Sequence, residues 1–320
     1  MYKHKSNIYC LNCGKAGHLQ SRCLYPINSW GIVCISYKDC LYDKINHKIN
    51  HNNLGGALAN MNCLFEYDTK TSAKTDTLLN DLKHNLKFIL IKRKNSLCYV
   101  EFIRGRYYFD NLQYIYNMIS KMSIYEQNSL CTEEFNILWC EMWNIEAINK
   151  NHIAEYTSSK TKFNKLRNGI ICYFSKKIPV FISLKEIVSR NKSKYKEPEW
   201  EIPKGRKNSK EVELDCSMRE FFEETNISND RYTLLFEDNC FIEKYVGSDG
   251  VTYKNNYFLA ELNDTNPNIK LDNTICQLNE VSGIKLVSYN DAMELIRDYS
   301  LDKKDVLTNI LNIVWNIISS

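Results

Sequence analysis

Residues 205–227 read GRKNSKEVELDCSMREFFEETNI, and the spacing of charge in this stretch decides the fold. Gly205 is followed after five residues by Glu211, after seven more by Arg219 and Glu220, and then by Phe221, Glu223 and Glu224. The spacing predicts a helix over residues 211–226. On it, Leu214, Met218, Phe221 and Phe222 share an apolar face able to dock on a sheet, while Glu220, Glu223 and Glu224 share another side at i, i+3 and i+4. Three carboxylates that close repel one another by ~1–3 kcal/mol per pair. Arg219 offsets part of this by pairing with Glu223 or by reaching back to Glu211, but one guanidinium does not balance four glutamates. The remaining charge suits Mg²⁺ or Mn²⁺, hard ions that take carboxylate oxygens and bridge to phosphates. For any two of these residues alone, a solvated acidic helix face is the plain alternative.

The stretch resembles the Nudix box, G-x5-E-x7-R-E-U-x-E-E-x-G-U with U a bulky apolar residue, at every position but one. Asn226 stands where the box has its last glycine, and asparagine is the residue that best replaces glycine in the left-handed turn closing a helix. The resemblance implies an α+β fold, a Nudix α/β/α sandwich, that hydrolyses nucleoside diphosphates linked to another moiety. It implies Glu220, Glu223 and Glu224 as catalytic ligands of Mg²⁺ or Mn²⁺, the Gly205 carbonyl as a further ligand, and Glu211 with Arg219 as a brace. The general base is one of the box glutamates or a glutamate from a later loop, for which Glu280 is the candidate. Upstream, WEIPKG (200–205) resembles the segment before the box in Nudix mRNA-decapping enzymes and their diphosphoinositol-phosphate-cleaving relatives. That likeness implies Lys204 beside the phosphate chain, with an ordinary exposed lysine as the alternative. Lys207 is a second substrate-binding candidate in a basic run, since 190–210 hold eight basic and three acidic residues.

Outward from the box, short apolar segments at 30–37, 86–92, 232–236, 240–245 and 257–262 read as strands, and 291–299 and 303–318 as helices. Residues 38–84 read as loop with local helix, and the lysine-rich stretch to Pro198 as loop. From Leu97 to Leu166 aromatic residues recur at helical spacing. SWGIVCI (29–35), EFIRGRY (101–107) and LWCEMW (138–143) resemble, in that order, the decapping Nudix enzymes of large cytoplasmic DNA viruses. That resemblance implies a helical, RNA-binding domain inserted between early Nudix strands. The expected organisation is therefore a small module over 1–26, a first Nudix part over 27–96, the insert over 97–166, and the catalytic part over 167–320 with its box at 205–227.

The N-terminal module carries Cys10-x2-Cys13-x4-His18-x4-Cys23, the spacing of a retroviral-type zinc knuckle. Three thiolates and an imidazole form a closed tetrahedral set, which points to structural Zn²⁺. Knuckles bind single-stranded RNA through apolar residues on bases and basic residues on phosphate, here Leu11, Leu19, Lys15 and Arg22. A module for protein contact is the alternative.

Thirteen cysteines, most of them scattered singly, argue for a reducing compartment and against a disulfide scaffold in a chain of this length. No stretch approaches the ~20 apolar residues of a membrane span. The expected function is metal-dependent decapping of capped mRNA in the cytoplasm, the host's if the protein is viral, releasing 7-methylguanosine diphosphate and leaving 5′-monophosphate RNA. The alternatives are a Nudix hydrolase of free dinucleotides or diphosphoinositol polyphosphates, and a non-catalytic RNA-binding protein on a Nudix scaffold. Oligomeric state is not legible.

Overall fold

The structure, a computed structural model, describes residues 10, 12–19, 22–45, 73–146, 148, 152–174, 178–247, 250–264 and 267–319. These fall into two compact units, one of residues 1–91, 200–277 and 283–320, the other of 92–199 and 278–282.

The first unit is built round β1 (Ile27–Ser36), whose run from Ile32 to Ile35 is buried throughout. A strand without an exposed side is covered on both faces. The sheet has the order β5 (Trp200–Glu201), β2 (Lys87–Arg93), β1, β8 (Thr252–Leu262), β7 (Tyr232–Val246), with β6 (Lys204–Gly205) paired to β1 and β9 (Val281–Ser288) to β2. β1 runs parallel to β8, from Ile27 opposite Tyr253 to Ile35 opposite Glu261, and antiparallel to β2 and β6.

Side-chain alternation sorts the two faces. Val33 and Ile35 join Tyr257 and Leu259 in a core with Val306, Leu307, Ile310, Leu311, Val314 and Ile317 of α11 (Leu301–Ser319). Ile32 and Cys34 alternate with them, and α8 (Glu213–Thr225) packs on β1. The result is a helix–sheet–helix sandwich in which α1 (Ala73–Asn85) and α10 (Tyr289–Leu295) pack beside α11.

Three sequence expectations change. Segments 232–236 and 240–245 are one strand, β7, whose pairing with β8 shifts register between Leu234 and Phe241; a bulge moves side chains to the other face and breaks the period. Of residues 38–84, 41–45 and 73–84 are helical and place Leu41, Ile45 and Leu82 in the core rather than in loop, and 46–72 lie outside the described residues. The lysine-rich stretch contains α7 (Leu184–Arg190), opened by a capping box in which the Ser183 and Glu186 side chains bond each other's backbone. The Ser-x-x-Glu spacing was its signal.

The second unit holds α2 (Leu97–Ile103), α3 (Leu112–Lys121), α4 (Ile124–Thr132), α5 (Phe135–Trp143), α6 (Ile153–Asn168), the hairpin of β3 (Ile170–Phe174) and β4 (Ile178–Ile182), and α7. Its core, otherwise mostly aliphatic, holds an aromatic group: Phe102, Tyr107, Phe135, Trp139 and Phe163 are fully buried. Phe102 stacks on Tyr107 with ring centroids 4.7 Å apart. Two short helices remain among the described residues, a 3-10 turn at Asn229–Arg231 and α9 (Ile275–Glu280). Among the described residues, no helix is long and apolar enough to cross a membrane.

Candidate metal and phosphate site

α8 starts two residues later than the predicted helix and is rotated from its predicted setting. Phe222 is 48% exposed, and the buried residues are Cys216, Ser217, Phe221, Glu224 and Thr225. The sequence puts hydrophobic weight on Phe222, but Phe221 fills the core by meeting Tyr232 edge-on at 5.2 Å. Glu224 belongs to the buried face because its carboxylate has a partner there: Oε2 accepts the Lys204 backbone N–H at 2.8 Å. A buried carboxylate needs such a bond. Asn226 ends the helix in the left-handed conformation, φ 57°, where the box has glycine.

Arg219 organises the acidic residues. Its Nε and Nη2 donate to the two Glu211 oxygens at 2.7 and 2.9 Å, and Nη1 donates to Glu220 at 2.8 Å and Glu223 at 3.0 Å. Nη2 also donates to the Arg206 carbonyl at 3.0 Å, tying α8 to the loop after Gly205. The bidentate pair holds Glu211 at about 2, against the cost of its burial. Arg219 thus brings Glu211, Glu220 and Glu223 together, while Glu224 faces Lys204. One guanidinium serves three carboxylates and leaves Glu224 to a backbone N–H, and the oxygens on offer are hard donors that fit Mg²⁺ or Mn²⁺.

Gly205 stands against Glu220. A Cβ on Gly205 would lie 2.0 Å from the Glu220 Cδ, although its backbone is unstrained. Gly31, paired with Lys204 across β1 and β6, has no room either, because a Cβ there would meet the Pro203 carbonyl oxygen at 2.1 Å. Two glycines therefore allow the WEIPKG segment to lie between β1 and α8.

Lys204 Nζ donates to Glu201 at 2.6 Å in a largely buried pair. Lys207 bonds Glu213 at 2.5 Å and holds that carboxyl below its usual range. Glu280 falls in the second unit, exposed at the end of α9, where its carbonyl accepts the Lys94 N–H at 2.8 Å.

At the N-terminus, Cys10, Cys13, His18 and Cys23 present ligand atoms all within 4.8 Å of one another. Three sulfurs and an imidazole so gathered fit tetrahedral zinc. Burial pushes the Cys23 thiol up, but hydrogen bonds from Asn12 and His18 outweigh it and bring it to about 6, toward the thiolate that a metal requires. Asn12 also ties the module to the sheet: Nδ2 donates to the Pro26 carbonyl at 2.8 Å, and Oδ1 accepts the Asn28 N–H at 2.9 Å. Leu11 lies outside the described residues. Leu19 is exposed, and so is Tyr25, which sequence reading passed over because it follows the last ligand. Lys15 bonds the Tyr25 hydroxyl and sits over its ring, 4.2 Å from the centroid.

Comparison with known proteins identifies the family. The NUDIX domain profile matches residues 184–310. A protein of Acanthamoeba polyphaga mimivirus, provisionally named mRNA-decapping protein, is 30% identical over 96% of this chain and 94% of its own length. The mRNA-decapping protein g5R of a warthog isolate of African swine fever virus is 29% identical over 68% of this chain and 87% of its own. A solved Caenorhabditis elegans Ap4A hydrolase, a binary complex, is 24% identical over 36% of this chain and 77% of that one, with a TM-score of 0.30. The full-length likeness to the mimivirus protein, with the box geometry, places the family beyond the motif alone: the chain belongs to the Nudix hydrolases and is a Nudix pyrophosphohydrolase.

Proposed function

We propose that the chain is a metal-dependent mRNA-decapping hydrolase, which releases 7-methylguanosine diphosphate from capped RNA and leaves a 5′-monophosphate end. The observation that carries the reading is the intact set of box glutamates, Glu211, Glu220 and Glu223 gathered by Arg219 and Glu224 held by the Lys204 N–H; the names of the viral relatives point the same chemistry at capped RNA. Its place of action on this reading is the cytoplasm, of the host if the protein is viral.

Glu220, Glu223 and Glu224, with the Gly205 carbonyl, would hold Mg²⁺ or Mn²⁺. Such an ion supplies polarised phosphate oxygens and a more acidic water. The chain's own residues do the rest. Lys204 brings an ammonium to the phosphate chain, with Lys207 a second cation close by in sequence. Arg219 fixes Glu220 and Glu223 relative to Glu211, so the carboxylates need no rearrangement when substrate arrives. Water attacks phosphorus, the bond to the leaving phosphate oxygen breaks, and the water's proton passes to a carboxylate. A box glutamate is the candidate for that base.

Long RNA is expected to be the better substrate. Binding energy from RNA remote from the cap can position the reacting phosphate, and α6 carries Lys160, Lys162, Lys165 and Arg167, with Tyr108 exposed near Lys162. The specificity constant for capped RNA should exceed that for cap dinucleotide by at least about tenfold. Product analysis on cap-labelled RNA, beside free cap dinucleotide and a diphosphoinositol phosphate, measures it. Equal constants, or preference for the inositol substrate, would replace this reading with small-molecule hydrolysis.

The Cys/His module, holding Zn²⁺, serves RNA affinity rather than hydrolysis. Replacing Cys10 and Cys13 by Ser should release zinc and weaken RNA binding by about tenfold, the worth of one stacked base. The rate at saturating RNA should change little, because β1 keeps its pairing with β2, β6 and β8 after the Asn12 bonds are lost. Single-turnover decapping over a range of enzyme concentrations, with bound zinc measured in parallel, separates the two effects. Collapse of the saturating rate in a folded Nudix domain would contradict this division of labour.

A further inference from the structure

We infer that Glu201 and Lys303 are positioning residues that hold the Lys204 ammonium ready for the phosphate chain of the substrate. This rests on the reading of Lys204 as a phosphate ligand and extends it to two residues outside the box.

Four charged side chains of alternating sign form a buried line. Lys204 Nζ lies 2.6 Å from Glu201 Oε2. Glu201 Oε1 lies 3.4 Å from Lys303 Nζ, which is 3.8 Å from Glu243. Glu243 is held in turn by the Tyr257 hydroxyl at 2.6 Å and the Asn255 amide at 2.8 Å. Lys303, Glu201 and Glu243 are all almost fully buried, whereas the Lys204 side chain retains 13% exposure. The more accessible end of the line is the one at the box, where the Lys204 N–H meets Glu224 and the adjoining Gly205 meets Glu220.

Stability does not account for the arrangement. Buried ion pairs are commonly matched or bettered by apolar side chains of the same volume. Lys303 also occupies the first turn of α11, the helix end that disfavours positive charge. Burial works against its charged form, but Glu201 and Glu243 outweigh that and raise its pKa above the ordinary lysine value.

A charged Lys303 does two things for Lys204. It keeps Glu201 ionised and fixed, so a four-carbon stem that would otherwise sample many rotamers is ordered before substrate binds. It also shares the Glu201 charge, which leaves Lys204 with positive charge to offer a phosphate. On this reading α11, besides covering the sheet, reaches the reacting end of the molecule through one lysine.

The test is a double-mutant cycle in the full chain, comparing Glu201→Gln, Lys204→Ala and the pair, with kcat and KM measured on capped RNA and on a dinucleoside polyphosphate. Lys204→Ala should lower kcat/KM by about thirtyfold and Glu201→Gln by about tenfold, the latter mainly in kcat, while the pair should fall no further than Lys204→Ala alone. Multiplication of the two losses would overturn the inference, since a structural role for Glu201 does not depend on what stands at 204. Thermal unfolding accompanies each variant. Should Glu201→Gln fail to fold, Lys303→Met, which keeps Glu201 and fills the volume, takes its place with the same expectation and the same overturning result. An unimpaired Lys204→Ala would also overturn it while leaving the hydrolase intact. A parent chain that cuts the dinucleotide and not the cap would defeat the decapping reading alone, with the cycle still decided on the dinucleotide.

Discussion

Glu223→Gln is expected to lower the rate of hydrolysis by about a thousandfold, the equivalent of several kcal/mol lost from the transition state when a carboxylate proposed to hold the metal becomes neutral. Of the four box glutamates paired to Arg219 or to Lys204, Glu223 is the most exposed, 38% against 13% for Glu220. Its bond to Arg219 is one of several: the guanidinium keeps both contacts to Glu211, the one to Glu220 and the one to the Arg206 carbonyl. Losing a partly exposed ion pair costs a folded protein roughly 0–1 kcal/mol, so the thermal midpoint should barely move. Glu224→Gln should also lose activity. It should fold too, because the glutamine side-chain oxygen can still accept the Lys204 N–H that Glu224 accepts. The measurement is turnover of cap-labelled RNA by purified variants with Mg²⁺ or Mn²⁺, beside thermal unfolding and RNA affinity. Parent-like turnover in both variants would remove these residues from the metal site.

The box could be read from sequence because helical periodicity converts spacing directly into proximity. Arg219, Glu220 and Glu223 lie within one turn, and Glu211 is close enough in sequence for a loop to return it. The rotation of α8 was not legible, since Phe221 and Phe222 are equally apolar and what turns the helix is a polar contact: Glu224 bonds the backbone of a segment twenty residues earlier. Glu201 and Lys303 carried no signal for the same reason. A lone lysine in the first turn of a helix looks like solvent-facing charge until the fold lays that turn beside β5 and β7. The central place of β1 was legible because WGIVCIS has no polar side to expose, whereas β7 was split by its irregular pairing, a feature of its partner strand as much as of its own sequence. Tyr25 and Asn12 fall among the Cys/His ligands or just after them, where attention to ligand spacing hides what the intervening residues touch.

Gly205→Ala should cost activity far more than stability, and the two glycines at the site separate these effects. At Gly31 the atom that an added Cβ would strike is the Pro203 carbonyl oxygen, part of a backbone held in the sheet, so a substitution there must shift β6 and should destabilise the fold. At Gly205 the atoms within 2.3 Å of the added Cβ are the carboxyl carbon and both oxygens of Glu220, the far end of a flexible side chain. That chain can swing away, and the backbone at 205 is one that alanine adopts without strain. The fold is relieved by moving one of the groups proposed to hold the metal. Displacing Glu220 also takes it off Arg219 Nη1 and leaves Glu211 and Glu223 to hold the arginine alone. Hydrolysis should fall by about a hundredfold, the scale expected when a catalytic group is misplaced by around an ångström, with a loss of stability under about 1 kcal/mol. Raising Mg²⁺ or Mn²⁺ should restore part of the rate, because a weakened site is filled by mass action. Metal titrations of turnover in Gly205→Ala and the parent chain, beside thermal unfolding, decide the matter. Parent-like turnover at low metal would show that Glu220 can serve from another rotamer, and a large fall in the unfolding midpoint would show that Gly205, like Gly31, is required by the backbone.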